Sequence, residues 1–283
     1  MSTQLELYSF GSTPELYVEY LKRSEPFTMK DDHYHDYYEL YYMLSGERIY
    51  FIRDRSYTIE KGDLVFIHKH ELHKTMQSGD ASHERFVIHF DDAMIHRMAG
   101  GHADLLLSPF NQQSHILRLP RQEQLAVDQF MRRLLTEIAQ QPTGFELYPP
   151  YAVTEILLIA ARYIQQNEPA PLHHATPMHA KISEIIHHIN GHFAEPLRLN
   201  GLAEHFFISP YYLSRMFKEI TGFTFSDYVI LTRIKEAQRL LRESSISITE
   251  IGAAVGFDNF SHFGKTFKKI TRLSPRQYRK LYV

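Results

Sequence analysis

The chain has 283 residues, a formal net charge of -2, 43% hydrophobic and 23% charged residues, and neither Cys nor Trp. That length suits two domains with a core each, and the ordinary composition excludes collagenous, low-complexity and wholly disordered chains. Zero cysteines excludes a disulfide scaffold, a thiolate zinc finger and a cysteine nucleophile, and a reducing, cytoplasmic setting is expected.

The N-terminus has no basic start or apolar h-region, and no stretch reaches about 18 uncharged apolar residues, so no signal peptide and no membrane partner is expected. Residues 27–90 are rich in Tyr, Phe, Ile and Val, in short runs broken by Ser45-Gly46, Lys61-Gly62-Asp63 and Ser78-Gly79-Asp80. Short strands with regularly spaced turns predict an antiparallel barrel or sandwich. On an unbroken strand His33, His35 and Glu39 project the same way, and His68 and His70 share a face by the same alternation. The tyrosines at 34, 37, 38, 41 and 42 fit a sugar-stacking wall, and equally the ordinary preference of Tyr for strands.

Two helices follow, over 122–141 with Leu125, Phe130, Leu134 and Ile138, and over 148–166 with Ile156, Leu157, Ile159 and Ala160. They are expected to pack on the barrel or on a partner subunit. Pro169, Pro171 and Pro177 then mark a seam, with His173, His174 and His179 read as a solvated loop. The seam divides the charge. Residues 1–179 carry 16 Lys and Arg against 24 Asp and Glu, a net of -8; residues 180–283 carry 15 against 9, a net of +6. An acidic module precedes a basic one.

From Lys181 the pattern is helical and it repeats. Residues 209–228 laid over 259–278 match at a register of 50, pairing Phe217 with Phe267, Lys218 with Lys268, Ile220 with Ile270, Thr221 with Thr271 and Tyr228 with Tyr278. Ser209-Pro210 predicts a capped helix start and Gly222 its end, with Leu213, Phe217 and Ile220 forming one buried stripe. A shorter helix around Leu202-Ala203 and Phe206 precedes it. The second copy opens on the capping box Ser247-x2-Glu250, turns at Gly256, and lines its longer helix with Phe263, Phe267 and Ile270. A continuous helix over 224–244 joins the copies. Each copy has the outline of a helix-turn-helix, whose second helix enters the DNA major groove. Opposite the apolar stripes lie Tyr211, Ser214, Arg215 and Lys218, and Ser261, His262, Lys265, Lys268 and Lys269. The segment 259–272 has four Lys and Arg and no acid, so it neutralises phosphates.

These residues, Ser209-x3-Leu213-x-Arg215-x-Phe217-Lys218, Ile248-x2-Ile251, Val255-Gly256-Phe257, Phe263-x3-Phe267-Lys268-Lys269 and Ser274-Pro275-x2-Tyr278-Arg279, resemble the AraC/XylS family of bacterial transcription regulators. The resemblance covers about 100 residues, from Ile182 to Leu281. It implies two helix-turn-helix units held by a linking helix on successive major grooves of double-stranded DNA, with RNA polymerase as a partner and activation as the outcome. Base-contact candidates are Tyr211, Ser214 and Arg215, then Phe260, Ser261, His262 and Lys265; Ser209, Lys218 and Lys268 complete the surface. Lys265 stands where the family usually has Arg, and Gly252 where it usually has Ala. A methyl-acceptor repair activity, which accompanies this DNA-binding fold elsewhere, needs a thiolate and is excluded.

In the acidic half, His33-x-His35-x3-Glu39-x6-Gly46 resembles the first cupin motif, and Gly62-Asp63 with His73 the second, although His68-Lys69-His70 departs from it. The expected fold is therefore α+β in two domains. A cupin-like antiparallel β-barrel with flanking helices occupies 1–166, a linker 167–180, and an all-α DNA-binding domain of two helix-turn-helix units 181–283. His33, His35, Tyr37, Glu39 and His73 are the candidates for an effector pocket, for a small molecule such as a sugar. No cofactor is required. Two expectations compete with it: the same side chains as retained barrel residues that hydrogen-bond each other and the backbone, and a divalent metal on His33, His35, Glu39 and His73, as a metal sensor or a cupin metalloenzyme with a DNA-binding appendage. A homodimer through the two helices is expected.

Overall fold

In this computed structural model, residues 5–29, 34–167 and 176–282 are described. The chain forms two compact units, 1–173 and 174–283.

The first unit is built from strands β1 (Glu6–Ser12), β2 (Leu16–Arg23), β3 (Tyr38–Ser45), β4 (Glu47–Ile52), β5 (Arg55–Glu60), β6 (Asp63–Ile67), β7 (His73–Gln77), β8 (His83–Phe90) and β9 (Ile116–Arg118). Six of them form an antiparallel sheet in the order β1-β2-β8-β3-β6-β9, and three form a second sheet in the order β5-β4-β7. The turn glycines at 46, 62 and 79 all have φ between 47° and 89°, a conformation glycine adopts without a Cβ penalty.

The large sheet is covered on both faces, which explains why β3 is apolar and aromatic with almost no alternation. Leu40, Tyr42 and Leu44 join Leu64, Phe66, Phe86 and Ile88 in one core. Tyr41, Met43, Val65 and Ile67 point the other way, against Tyr50, Ile52 and Ile59 of the small sheet. The side-chain period of two sends neighbours along one strand into two different cores.

Helices α1 (Asp92–Ala99), α2 (Ala103–Leu107), α3 (Arg121–Gln140) and α4 (Tyr148–Gln166) close the first core. The face of α3 differs from the expected one. Val127, Met131, Leu134 and Ile138 are buried, Phe130 is half-buried, and Leu125 is 52% exposed. Steps of four, three and four residues keep a side chain over one stripe, whereas the five-residue step from Leu125 to Phe130 winds off it. On α4, Ile156, Leu157 and Ala160 are buried as expected.

The second unit is all helix: α5 (Pro177–His192), α6 (Leu199–His205), α7 (Pro210–Thr221), α8 (Phe225–Glu243), α9 (Ile248–Ala254), α10 (Phe260–Thr271) and α11 (Pro275–Tyr282). Thr176 caps α5 by accepting from the His179 amide, so α5 opens inside the segment expected to be a linker. His179 accordingly lies in a helical turn instead of a loop; His173 and His174 fall outside the described residues. Ser209, Thr224, Ser247 and Asn259 each cap the following helix through a side-chain oxygen, and Ser247 with Glu250 forms the full capping box. Each cap satisfies amides that a helix start otherwise leaves without partners. The linking helix α8 contributes Ile234, Ala237 and Leu241 to a core with Ile251, Val255, Phe263 and Phe267. Beside the first copy, Tyr228 of α8 meets Phe217 edge-on at 5.7 Å.

Candidate nucleic-acid interface and ligand cavity

Both long helices of the repeat bury one stripe and expose the other. On α7, Leu213, Phe217 and Ile220 are buried, while Ser209 at the cap, Tyr211, Ser214, Arg215 and Lys218 are exposed. On α10, Phe263 and Phe267 are buried, and Phe260, Ser261, His262, Lys265, Lys268 and Lys269 are exposed. Among the described residues, no ion pair engages Arg215, Lys218, Lys265 or Lys268. Other arginines of this unit are spoken for. Arg239 pairs with Glu236 and Glu243, Arg233 donates to the Phe193 and Glu195 carbonyls, and Arg279 to that of Ile246. The faces opposite the cores thus combine free cations with hydroxyl, imidazole and aromatic groups. These are the donors that reach base edges and phosphates when a helix lies in the major groove. His262 is steered by Phe257, whose ring meets it at 5.5 Å.

The copies are related by 50 residues in the long helices but by 49 before them. Ile208 donates to the Ala203 carbonyl as Phe257 does to that of Gly252, and Phe207 and Gly256 both take left-handed φ, at 56° and 87°. One extra residue therefore sits in the second turn, between Phe257 and the Asn259 cap. At Gly252 a Cβ comes within 3.1 Å of the Phe263 ring, a tight contact for which the ring must give by a few tenths of an ångström to admit an alanine methyl.

In the first unit, the polar candidates converge on Glu39. Its Oε1 accepts from the Tyr50 hydroxyl at 2.7 Å, and its Oε2 lies 3.2 Å from His35 Nε2, 3.0 Å from His89 Nε2 and 3.7 Å from His73 Nε2. Burial pushes the Glu39 carboxyl up, yet its hydrogen bonds to His35 and His89 and the nearby His73 imidazole hold it well below the usual carboxylate range. Burial pulls His35 down, against the opposing attraction of Glu39. His73 is fully buried with Nδ1 2.8 Å from the Glu71 carbonyl. Tyr37 stacks on the His35 ring at 4.0 Å, and burial pushes its phenol up to about 12.

The route to this convergence differs from the expected one. β3 begins only at Tyr38, so His35 reaches Glu39 from the preceding bend and not along one strand face. His33 lies outside the described residues. His68 and His70 do not follow the strand alternation that would put them on one face: His70 has φ 61°, and the His68 ring stands edge-on to Tyr38 at 5.1 Å. His89, which the motif spacing omits, supplies a ligand-competent nitrogen. His35, Glu39 and His89 each place one donor atom within 4.8 Å of the others, an imidazole and carboxylate set suited to Zn, Fe, Ni or Mn.

A cavity of about 190 Å³ adjoins this hub. It is lined by alternate residues of five strands: Tyr17 and Glu19, Glu39 and Tyr41, Arg48 and Tyr50, Thr75, and His83, Arg85, Val87 and His89, with Phe27 and Met29 beside them. The signal for β8 was present in its sequence, where His83, Arg85, Val87 and His89 alternate with Phe86, Ile88 and Phe90, which face the first core.

Comparison with known proteins bears on both sites. Residues 16–147 match the model of an AraC-like ligand binding domain, and residues 202–281 that of a helix-turn-helix domain. The chain is similar to the HTH-type transcriptional activator RhaS of Salmonella arizonae, 28% identical over 248 residues, which are 88% of this chain and 87% of that one. RhaS of Salmonella typhimurium is 29% identical with the same coverage. Among solved structures, the C-terminal domain of AraT, a response regulator from Geobacillus stearothermophilus, is 34% identical over 38% of this chain and 86% of that chain, with a TM-score of 0.36.

Proposed function

This chain belongs to the AraC/XylS family of transcription regulators, and from that premise we infer that it activates transcription from a specific DNA site under control of a small effector. The carrying observation is the pair of helices α7 and α10, equivalent at a register of 50, each capped, each buried on one stripe, and each presenting unpaired cations on the other. Arg215 reads a base, because its planar fork matches guanine bidentately; Lys265, a point charge, and Lys268 anchor phosphates. The effector is a small hydroxylated molecule in the cavity beside Glu39, with His35, Tyr37 and His73 supporting that carboxylate and His89 and Tyr50 facing the ligand. No step of this function requires catalysis.

A homodimer is supported by the apolar side chains of Leu125, Leu147 and Tyr151, exposed near the starts of α3 and α4. RNA polymerase, as the partner through which an activator acts, follows from the family alone. Control requires that the effector favour one state of the protein over another, since equal binding to both shifts nothing.

Selection of binding sites from random duplexes by the full chain tests this reading. The expected product is a site with determinants about 10 base pairs apart, one helical turn. Arg215→Ala should relax preference at one position at a cost of roughly 1–3 kcal/mol, while Lys268→Ala should weaken all duplexes alike. Failure to enrich any sequence sinks the proposal.

A divalent metal on His35, Glu39 and His89 is the second possibility, favoured by the convergence of their donor atoms. Stoichiometric metal in protein purified without metal, lost in His35→Ala, decides for it.

A further inference from the structure

The effector proposed above is left open in its chemistry, and the far wall of the cavity bears on it. Arg48 lines that wall and is 1% exposed. Its Nε donates to Thr75 Oγ1 at 3.2 Å and its Nη1 to Gln77 Oε1 at 2.9 Å, both neutral acceptors, while Nη2 has no partner. Beside it Arg85 donates through Nη2 to Glu19 at 2.8 Å, and its Nη1 is likewise buried without a partner. Among the described residues no carboxylate lies within ion-pair distance of Arg48.

A buried guanidinium without a counter-ion is costly, and a neutral acceptor offsets only its hydrogen-bond requirement, not its charge. Among the described residues, the acids that line the cavity do not fill the role. Glu19 is engaged by Tyr17 and Arg85, and Glu39 by its imidazoles and Tyr50. The Phe27 ring gives partial relief, lying 4.2 Å below the Arg23 guanidinium and 5.7 Å from that of Arg48. Burial first, and then Arg48, Arg85 and Arg23, lower His83 to about 4, so it adds no charge of its own near neutral pH.

We propose that the molecule bound in this cavity is a small hydroxylated carboxylate, its anionic group seated on Arg48 with Arg85 as second donor and its hydroxyls toward Glu39 and His89. Two open N–H groups match the two oxygens of a carboxylate, whereas a phosphate dianion brings a second charge against Glu19 and Glu39. At about 190 Å³ the cavity lies below the roughly 300–1,000 Å³ of drug-sized sites, so the ligand has no more than about the bulk of a monosaccharide. This rests on the effector reading of the cavity but is separable from it.

The test is a thermal-shift and calorimetric titration of the full chain with matched pairs: galacturonate against galactose, glucuronate against glucose, glycerate against glycerol, with galactose 1-phosphate as the dianion. At least one acid should bind about ten- to a hundredfold tighter than its neutral counterpart, the range expected for hydrogen bonds to a charged group. Arg48→Gln should abolish that preference and leave the ligand-free protein as stable or more so, because an unpaired buried charge is removed; Arg85→Gln should weaken it. The wild-type pairs decide even where Arg48→Gln fails to fold. A neutral sugar or the phosphate binding best overturns the carboxylate but keeps an effector. An acid preference that survives Arg48→Gln overturns the assigned residue, and no binding by any acid overturns the proposal while leaving the DNA-site selection to judge the regulator.

Discussion

His83 and His115 are imidazoles that the fold buries. His83 is 3% exposed with Nδ1 3.2 Å from the Ala81 carbonyl, and His115 holds Nδ1 3.0 Å from that of Phe66. Burial is the main cause that lowers both, His83 to about 4. An unfolded histidine takes up its proton near pH 6.5, so between about 6.5 and 4 the unfolded chain binds more protons than the folded one, and stability falls as pH falls. The urea midpoint of the first unit should therefore drop between about pH 7.5 and 5, and less in His83→Gln than in wild type. Equal pH slopes in the two proteins would refute the assignment. The sequence names these histidines but not their state: His83 becomes buried only because β8 turns it between two sheets, whereas Arg215 and Lys268, which need no neighbour beyond their own helix, were legible from spacing.

At the scale of elements, the two copies of the helix-turn-helix show what a repeat fixes and what it lets drift. The long helices keep cap, stripe and exposed face at one register, since all three are local consequences of residue order. The turns before them differ: the first uses Phe207 at φ 56°, 96% exposed, where the second uses Gly256. A left-handed conformation costs a residue with a Cβ roughly 1–2 kcal/mol, partly offset by the greater unfolded-state freedom of glycine. Phe207→Gly should thus raise the stability of the second unit by up to about 1 kcal/mol, read from its denaturant midpoint. A loss of stability would mean that the Phe207 ring does more than its exposure indicates. The shift from 49 to 50 residues across the turns was invisible in an alignment anchored on the long helices, because a single inserted residue leaves their pattern intact. The stripe of α3 was misplaced for a related reason: several apolar residues lie near the face, and only packing selects Val127 and Met131 over Leu125.

For the whole molecule the informative quantity is the division of charge, -8 before residue 180 and +6 after it. Phosphates attract the second module and repel the first, and both effects are screened within about 10 Å at 0.1 M salt. Removing residues 1–166 should raise affinity for non-specific duplex at low salt and steepen its decline as salt rises, measured by fluorescence anisotropy across a salt series. Identical curves for the full chain and the truncated one would show that the acidic module exerts no field on the DNA.

By itself the sequence determined the two modules, the helix-turn-helix repeat with its caps and its exposed reading faces, and the strand-rich character of the acidic half. Each of these follows from periodicity, capping chemistry and turn residues, which act over a few neighbours along the chain. The cupin-like spacing already grouped His35, Glu39 and His73; only the tertiary structure added His89 and Tyr50 to Glu39 and placed Arg48, with no carboxylate partner among the described residues, at the wall of a cavity. Those residues span 54 positions, from His35 to His89, and strand pairing and sheet packing, which depend on the whole unit's core, bring them together.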